Sequence, residues 1–357
     1  MSKVNLKYLS EVLGVSVSTV SKALRNSYEI SEETRKRIIE KAQEIGYNPN
    51  PYAGALRNHK TKTIALIVPE LTNNFFIQVI VGAESVAQQK DYHVLIYNTM
   101  DRAEKEVSIL HHLQNGRVDG VIMSLASTTT NYEHLNQLVL SGVPIVFFDR
   151  ICHEIQTAKI ITDDFASAFN ATEHLIQAGC KDIAYLSLSD NLSIDNKRKQ
   201  GYLEALYKYD IEPDEDRIIK CNGDEKTTYA KIKKLLKGPG RPDGVFASIE
   251  KFALSTYYVA RELHIKIPDQ LKVISFSNLR TAPLLSPSLS TVTQPAFDMG
   301  VQAATVLLKN LEKKRSWMEN ENIVLKSVMI KRESTLATVK EEQPASSGKR
   351  KKTHPIR

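Results

Sequence analysis

Val17, Ser18, Ser21 and Lys22 fall on one side of a short helical pattern near the amino terminus, with Val20, Ala23 and Leu24 on the other. Two hydroxyls, an ammonium and a small apolar group pointing outward from one helix suit the floor of a DNA major groove. Such a helix needs a support, and the residues before it supply one. Leu6, Leu9 and Leu13 recur at i, i+3 and i+7, which predicts an amphipathic helix. Gly14 tolerates the positive φ of a sharp turn, and Ser16 stands at the N-cap of the second helix. This is the spacing of a helix-turn-helix. A plain helical hairpin packed on another surface satisfies this stretch equally.

A third helix and the distribution of charge favour the DNA reading. Ser31 opens that helix, SEETRKRIIEKAQEIGY, with Thr34, Ile38, Ala42 and Ile45 as its apolar stripe. Glu32 and Glu33 lie in its first turn and Gly46 closes it. Residues 1–62 carry 11 Lys+Arg against 6 Asp+Glu, residues 63–335 carry 31 against 33, and the last 22 residues carry 6 against 2. The chain's net +7 therefore sits at its two ends, as phosphate binding requires.

Next comes YNPNPYAGALRNHKTKT. Asn50 followed by Pro51 reads as a cap with proline at the first helical position, so residues 51 to about 57 predict a short hinge helix. Alone it is unstable, since nucleation outweighs so few hydrogen bonds, and Gly54 costs about 1 kcal/mol more than alanine. Leu56 would serve as an apolar wedge in the minor groove once a partner copy and DNA hold the helix. A simple linker also fits Asn, Pro and Lys, but it has no need of Tyr52 and Leu56.

From Thr63 the pattern alternates. TIALIV, HVLIYN, GVIMS, PIVFFD, DIAYLSL, GVFAS and KVISFS read as strands. Helical stretches lie around residues 78–90, 105–115, 165–178, 197–209, 252–263 and 298–311. Nearly all-apolar strands separated by helices predict parallel sheets covered on both faces. About 270 residues exceed one core, so two α/β lobes are expected, with chain crossings near Asp163, Gln294 and Asn320 and a final strand NIVLKSVMI. A ligand belongs in the cleft, at the carboxyl ends of the strands.

No secretory h-region and no run long enough for a membrane span occur, and Cys152, Cys180 and Cys221 show no paired spacing, which together predict a cytoplasmic protein with no membrane partner, disulfide or metal. The tail KEEQPASSGKRKKTHPIR has no apolar period and reads as disordered, either as a phosphate-attracting arm or as a plain solvated end. Motifs for phosphate loops, dinucleotides, zinc hydrolysis and nucleophile elbows are missing from the sequence, and the nine histidines are dispersed. No catalytic residue, cofactor or enzymatic activity is therefore expected. A transporter's solute-binding protein is a rival that the basic head opposes. A sugar-modifying enzyme is a second, opposed by the lack of a nucleophile–base pair.

The chain resembles the LacI/GalR family of bacterial transcriptional regulators from Val4 to about Thr335. GVSVSTVSKAL, ISEETRKRI, GYNPN, YAGALR, IALIVPELTNNFF, RVDGVI, HLIQAGCKDIAYL, QPAFDMG and VMIKREST carry the resemblance in order and spacing. It implies a small all-α helix-turn-helix head with a hinge helix, joined to a two-lobed, parallel-sheet α/β core like that of periplasmic binding proteins. Its domains would be residues 1–48 (head), 49–62 (hinge), 63–335 (core) and 336–357 (tail). Lobe one would hold about 63–162 plus 294–320, and lobe two about 163–293 plus 321–335.

The resemblance further implies a homodimeric, nucleoid-associated repressor on near-palindromic double-stranded DNA, controlled by a small carbohydrate ligand. Val17, Ser18 and Lys22 match base-reading positions, while Ser16, Thr19, Ser21 and Asn26 match phosphate-holding ones. Tyr52 and Leu56 belong to the hinge contact. Phe75, Phe76, Asp149, Arg150, Asp163, Arg198, Glu250 and Ser277 match the effector cleft. Two departures stand out. Ser277 in SFSN replaces a usual aspartate, and ASIEK carries Glu250 where a shorter carboxylate is usual.

Overall fold

The computed structural model describes residues 5–24, 27–47, 61–114, 116–221, 224–313 and 318–336. Asn26, the hinge positions Tyr52, Gly54 and Leu56, and the tail beyond residue 336 lie outside them. The chain divides after Lys62 into two units.

The first unit is three helices, α1 (Leu6–Leu13), α2 (Val17–Leu24) and α3 (Glu32–Glu44). Asn5 caps α1 by accepting from the Tyr8 N–H at 2.9 Å, and Gly14 ends it with φ 66°. Ser16 Oγ accepts from the Thr19 N–H at 3.0 Å, the bond expected of an N-cap. Leu9, Val20, Ala23, Ile38 and Ala42 form the centre, with Leu6, Leu13, Leu24 and Ile45 packed around them. Such a core is small. Polar ties reinforce it, among them Arg35 donating to the Ser27 carbonyl at 2.9 Å and Arg37 to that of Leu13 at 3.2 Å.

The second unit contains two six-stranded sheets. The first runs β2-β1-β3-β4-β5-β11, where β1 is Thr63–Val68, β2 His93–Asn98, β3 Gly120–Met123, β4 Ile145–Phe148, β5 Lys159–Thr162 and β11 Asn322–Leu325. All its pairings are parallel. The second runs β7-β6-β8-β9-β10-β12, where β6 is Ile183–Ser187, β7 Ile218–Lys220, β8 Gly244–Ala247, β9 Lys272–Phe276, β10 Ser290–Thr293 and β12 Val328–Ile330. Its one antiparallel pair is β10 with β12. Each sheet reverses its order beside its first strand, which opens a crevice at the strands' carboxyl ends.

Around the first sheet lie α4 (Asn74–Gln89), α5 (Ala103–Leu113), α6 (Glu133–Leu140) and, from the far end of the chain, α11 (Ala296–Glu312). Around the second lie α7 (Asp164–Gln177), α8 (Ser193–Lys208), α9 (Glu225–Leu236) and α10 (Glu250–Glu262). Helices α6 and α9 and strands β5, β7 and β10 are not expected from the sequence pattern, because each is short or weakly periodic.

Two glycines set the packing of α4 on α11. A Cβ at Gly82 would stand 2.1 Å from the Phe297 carbonyl oxygen, and one at Gly300 would stand 2.1 Å from that of Val79. Backbone touches backbone at both points, which gives the glycine of QPAFDMG a structural role and fixes the amino end of α4 at the cleft.

Three segments cross between the lobes: after β5, after β10, and between β11 and β12. The last crossing corrects an expectation. NIVLKSVMI is two strands, not one, and the chain changes sheets at Lys326 and Ser327 rather than near Asn320. Asp163 explains the break: its N–H donates to the Leu325 carbonyl at 3.3 Å and its carboxylate accepts from the Ser327 N–H at 2.8 Å. Full coverage of the sheets is also corrected at β2, an edge strand on which Leu95 and Ile96 stay exposed.

Candidate functional site

In the head, Ser16, Val17, Ser18 and Lys22 are exposed and Thr19 and Ser21 half-buried, so α2 presents one continuous outward face. Ser16 Oγ lies 2.7 Å from Ser18 Oγ and 2.8 Å from Thr19 Oγ1, a chain of hydroxyls at the helix start. Lys22 Nζ pairs with Glu29 of the following turn. Both partners are about half exposed, so the pair is weak and easily exchanged for a phosphate or a base.

The cleft between the two sheets is lined by Asn73, Phe75, Phe76, Asp149, Arg150, Ile194, Arg198, Ile249, Glu250, Phe276, Ser277, Asn278 and Gln294. Every one follows the carboxyl end of a strand or ends one. Seven of the eight effector candidates meet there; Asp163 does not. Its carboxylate is occupied by Ser327 N–H and by Ser167 Oγ at 3.1 Å, so it clasps two crossing segments rather than facing the cleft. The neighbouring Asp164 contributes instead, through Arg198.

Lobe one supplies the aromatic wall. Asn73 Oδ1 accepts from the Phe75 N–H at 2.9 Å and starts α4, which lays Phe75 and Phe76 edge to face with centroids 5.1 Å apart. Both rings are at least 95% buried, so they serve as core as well as lining. Asp149 has φ 56°, a left-handed turn that aspartate tolerates and that swings Asp149 and Arg150 off β4 into the cleft. Arg150 Nη1 donates to Asp101 at 2.7 Å. Asp101 also accepts from Ser127 N–H at 2.8 Å and Oγ at 2.7 Å. Burial works against the Asp101 carboxylate, but Arg150 and Ser127 hold it below the usual range.

Lobe two is built around α8. Asp195 accepts from Tyr185 OH and Ser187 Oγ at 2.6 Å and from the Leu188 and Ser189 N–H groups at 2.7 and 2.9 Å, locking the loop after β6 to the helix. Arg198, about one turn on, is 2% exposed. Its Nε donates to Asp164 at 2.7 Å, its Nη1 to the Ser248 carbonyl at 2.7 Å, and its guanidinium lies 3.8 Å above the Phe276 ring. Nη2 also lies 2.7 Å from Asp164 Oδ1, yet that oxygen is already taken by Nε and the angle makes no second hydrogen bond. Burial pushes the Asp164 carboxyl up; the same burial opposes the charge on Arg198, which Asp164 and Asp149 nonetheless hold fully protonated.

The two departures in the sequence are neighbours in space. Ser277 Oγ donates to Glu250 Oε2 at 3.0 Å, so the longer carboxylate reaches the position where the shorter residue leaves room. The backbone N–H groups of Asn278 beside it and of Asn74 on the opposite wall also favour its ionised form. Burial raises its carboxyl above the ordinary value. The cavity left among these groups is about 30 Å3, the room of a water molecule, so a sugar-sized ligand must part the walls.

Sequence reasoning missed Asn278 and Gln294. Asn278 Nδ2 donates to the Gln294 carbonyl at 2.8 Å, while Gln294 Nε2 approaches Thr162 at 3.2 Å and Asp149 at 3.4 Å. Both follow strand ends, and Gln294 stands at an expected crossing; that position was the available signal. Among the described residues no cluster of His, Cys, Asp and Glu could hold a metal, and no helix is long and apolar enough to cross a membrane. The three cysteines are buried and free.

A family model of periplasmic binding proteins and the sugar-binding domain of the LacI family matches residues 61–331, and one of lacI-family bacterial regulatory proteins matches residues 11–50. The chain belongs to the LacI family. This LacI-family chain is 30% identical over 334 residues to the transcriptional regulator RegA of Clostridium saccharobutylicum, covering 93% of itself and 99% of that protein. It is 29% identical to catabolite control protein A of Priestia megaterium, over 84% of itself and 90% of that protein. Among solved structures, the lac repressor dimer bound to operator and an anti-inducer superposes with a TM-score of 0.80 at 21% identity, over 94% of this chain and all of that one. A cellobiose complex of the regulator CelR gives 0.69 at 24% identity, over 93% and 100%. The LacI-family chain is thus a DNA-binding transcriptional regulator with a sugar-binding type of core, and not an enzyme.

Proposed function

We propose that the chain is a repressor whose grip on a near-palindromic operator is set by a carbohydrate in the interlobe cleft. The observation that carries this reading is the convergence in one cleft of Arg150, Arg198, Asp149, Glu250 and Ser277 with two phenylalanine rings. Charged and polar groups beside aromatic faces match a sugar, whose hydroxyls donate and accept while its C–H faces stack. Among the relatives are ribose operon repressors and a regulator whose structure holds ribose, which supports the same class of ligand.

Two copies act together. Ile77, Val81, Leu95 and Ile96 leave an apolar surface on the neighbouring α4 and β2, which a second chain would cover. Val17, Ser18 and Lys22 of each copy read bases, and Ser16, Thr19, Ser21 and Asn26 hold phosphates. The segment with Tyr52 and Leu56 folds into the minor groove between half-sites. Ligand in the cleft shifts the lobes and with them the spacing of the hinge segments. Linkage of this kind supplies roughly 1–3 kcal/mol, about 5- to 150-fold in operator affinity.

The test is footprinting on genomic DNA in the cytoplasmic setting where the operator resides, followed by a sugar screen for displacement from the site found. Arg198→Lys keeps a positive charge beside Asp164 but loses the planar fork. It should bind operator and respond at least about tenfold less to the sugar. A normal response removes Arg198 from the site. Leu56→Ala should weaken operator binding while sparing random DNA, and equal losses on both would remove the wedge.

A further inference from the structure

The loop that follows β3 touches the cleft from behind. The Leu125 N–H donates to the Arg150 carbonyl at 3.1 Å, and Arg150 Nη1 donates to the Leu125 carbonyl at 3.4 Å. Ser127 holds Asp101 through its N–H at 2.8 Å and its Oγ at 2.7 Å, and Asp101 accepts in turn from Arg150 Nη1 at 2.7 Å. From lobe two, Ser189 Oγ donates to the Ser127 carbonyl at 3.4 Å. Residues 125–129 therefore meet both Arg150 and the opposite lobe, so their placement decides where the guanidinium stands.

A carboxylate outside the cleft places them. Glu106, on α5, is fully buried and directed at this loop. Its Oε2 accepts from the Ala126 N–H at 2.8 Å and its Oε1 from Thr129 Oγ1 at 3.0 Å. His134 on α6 completes the set, with Nε2 2.8 Å from Oε1 in the tautomer that donates from that nitrogen. A buried carboxylate is costly to desolvate, and stranding its donors is costly too. An apolar side chain would fill the space between α5 and α6 without either cost, so packing alone does not explain a glutamate. Lobe two carries the same device. Asp195 on α8 holds the loop after β6, including the Ser189 N–H at 2.9 Å. The two loops held by buried carboxylates are the two that meet at Ser127 and Ser189.

We propose that Glu106, backed by His134, is a positioning residue of the effector cleft: it fixes the 125–129 loop, and through Asp101 that loop fixes Arg150. Glu106 does not line the cleft, so it acts on a ligand only through Arg150. The inference rests on the reading of the cleft as the ligand site.

The test uses the full-length 15N-labelled chain and begins without ligand. Arg150 Nε is buried, so its N–H should exchange slowly with water, and Arg150→Lys assigns its NMR signal by removing it. Glu106→Leu should speed that exchange at least about tenfold, because the loop loses its anchor and opens locally. Glu106→Gln should stay within about threefold of the wild-type chain. Its carbonyl can accept from the Ala126 N–H, and its amide can donate to Thr129 Oγ1 and to the other tautomer of His134. Leu113→Ala, a cavity variant at the end of the same helix, should also stay within about threefold although it weakens the same core. If Glu106→Leu does not fold, Thr129→Val removes one donor and should speed the exchange at least about threefold. Calorimetric titration with ribose and cellobiose reads the consequence. Whichever sugar binds the wild-type chain should bind Glu106→Leu at least about tenfold more weakly and Glu106→Gln within about threefold. Unchanged exchange in Glu106→Leu, or in its substitute, overturns the proposal. Equal acceleration in Leu113→Ala does so too, since Glu106 would then be a plain core residue. Faster exchange with unchanged affinity for a sugar that binds also overturns it. Heat from neither sugar with the wild-type chain counts against the carbohydrate reading alone, and the exchange rates still decide for Glu106.

Discussion

The two walls of the cleft solve one problem twice, with different surroundings. In each lobe an arginine leans over a phenylalanine and pairs with an aspartate at 2.7 Å: Arg150 with Phe76 and Asp101, Arg198 with Phe276 and Asp164. The resemblance ends at solvent. The Asp101 side chain is 29% exposed, whereas that of Asp164 is 2% exposed. Burial opposes both carboxylates, but at the more exposed Asp101 the Arg150 charge and the Ser127 hydrogen bonds prevail and hold it below the usual range, whereas at Asp164 burial prevails and pushes it above. Ring distance follows the same trend, 5.8 Å for Arg150 over Phe76 and 3.8 Å for Arg198 over Phe276. Lobe two therefore provides a sealed platform. Lobe one provides an adjustable arm, tied through Asp101 to Ser127, whose carbonyl accepts from Ser189 of the opposite lobe at 3.4 Å.

Equal substitutions in the two pairs should have unequal effects. Asp164→Ala strands the Arg198 charge in the interior and should cost about 3–5 kcal/mol of unfolding free energy. Urea titration measures it, and a loss under about 1 kcal/mol would mean that Arg198 escapes to water. Asp101→Ala removes three hydrogen bonds at a partly hydrated site and should cost about 1–2 kcal/mol. A loss as large as that of Asp164→Ala would abolish the distinction between platform and arm. The Asp101 contribution also has a pH signature. Its folded value is depressed, so the stabilisation is present above the ordinary 3.8 and fades as pH falls through the folded value.

The head was legible because its function and its scaffold share one short stretch. Helical period, Gly14 and Ser16 place the outward face of α2 with no long-range information. In the cleft the strand ends were legible from the apolar runs, whereas Asp149, Arg150, Arg198, Glu250 and Ser277 were singled out by the family resemblance, and all five line the cleft. The choice between Asp163 and Asp164 was not legible. Adjacent residues at a helix start point in different directions, and which one meets Arg198 depends on a segment more than 160 positions away, where Ser327 claims Asp163. The same long-range bond splits NIVLKSVMI into two strands. Local alternation has no trace of it, since both halves are apolar and extended.

Glu250 offers the smallest effect and the sharpest test of how the walls communicate. It belongs to lobe two by its helix, yet the backbone N–H of Asn74, at the start of α4 in lobe one, favours its ionised form. Two forces act on it in opposite senses. The hydrogen bond from Ser277 Oγ and the nearby Asn74 and Asn278 N–H groups favour the carboxylate, whereas burial favours the acid and prevails. A folded value above the ordinary 4.5 means that the native state holds this proton more tightly than the unfolded chain does. Its contribution is then fully present below 4.5 and is lost as pH rises through the folded value. Near neutral pH the ionised side chain is a cost, which Glu250→Gln removes while retaining an acceptor for one wall and the shape of the other. The variant should melt slightly higher than the wild-type chain near pH 7, and the advantage should vanish below about pH 4.5. A variant less stable at every pH would show that the bonds across the cleft outweigh burial. The two walls would then be latched by the charge on Glu250, and lobe one would be held as firmly as lobe two.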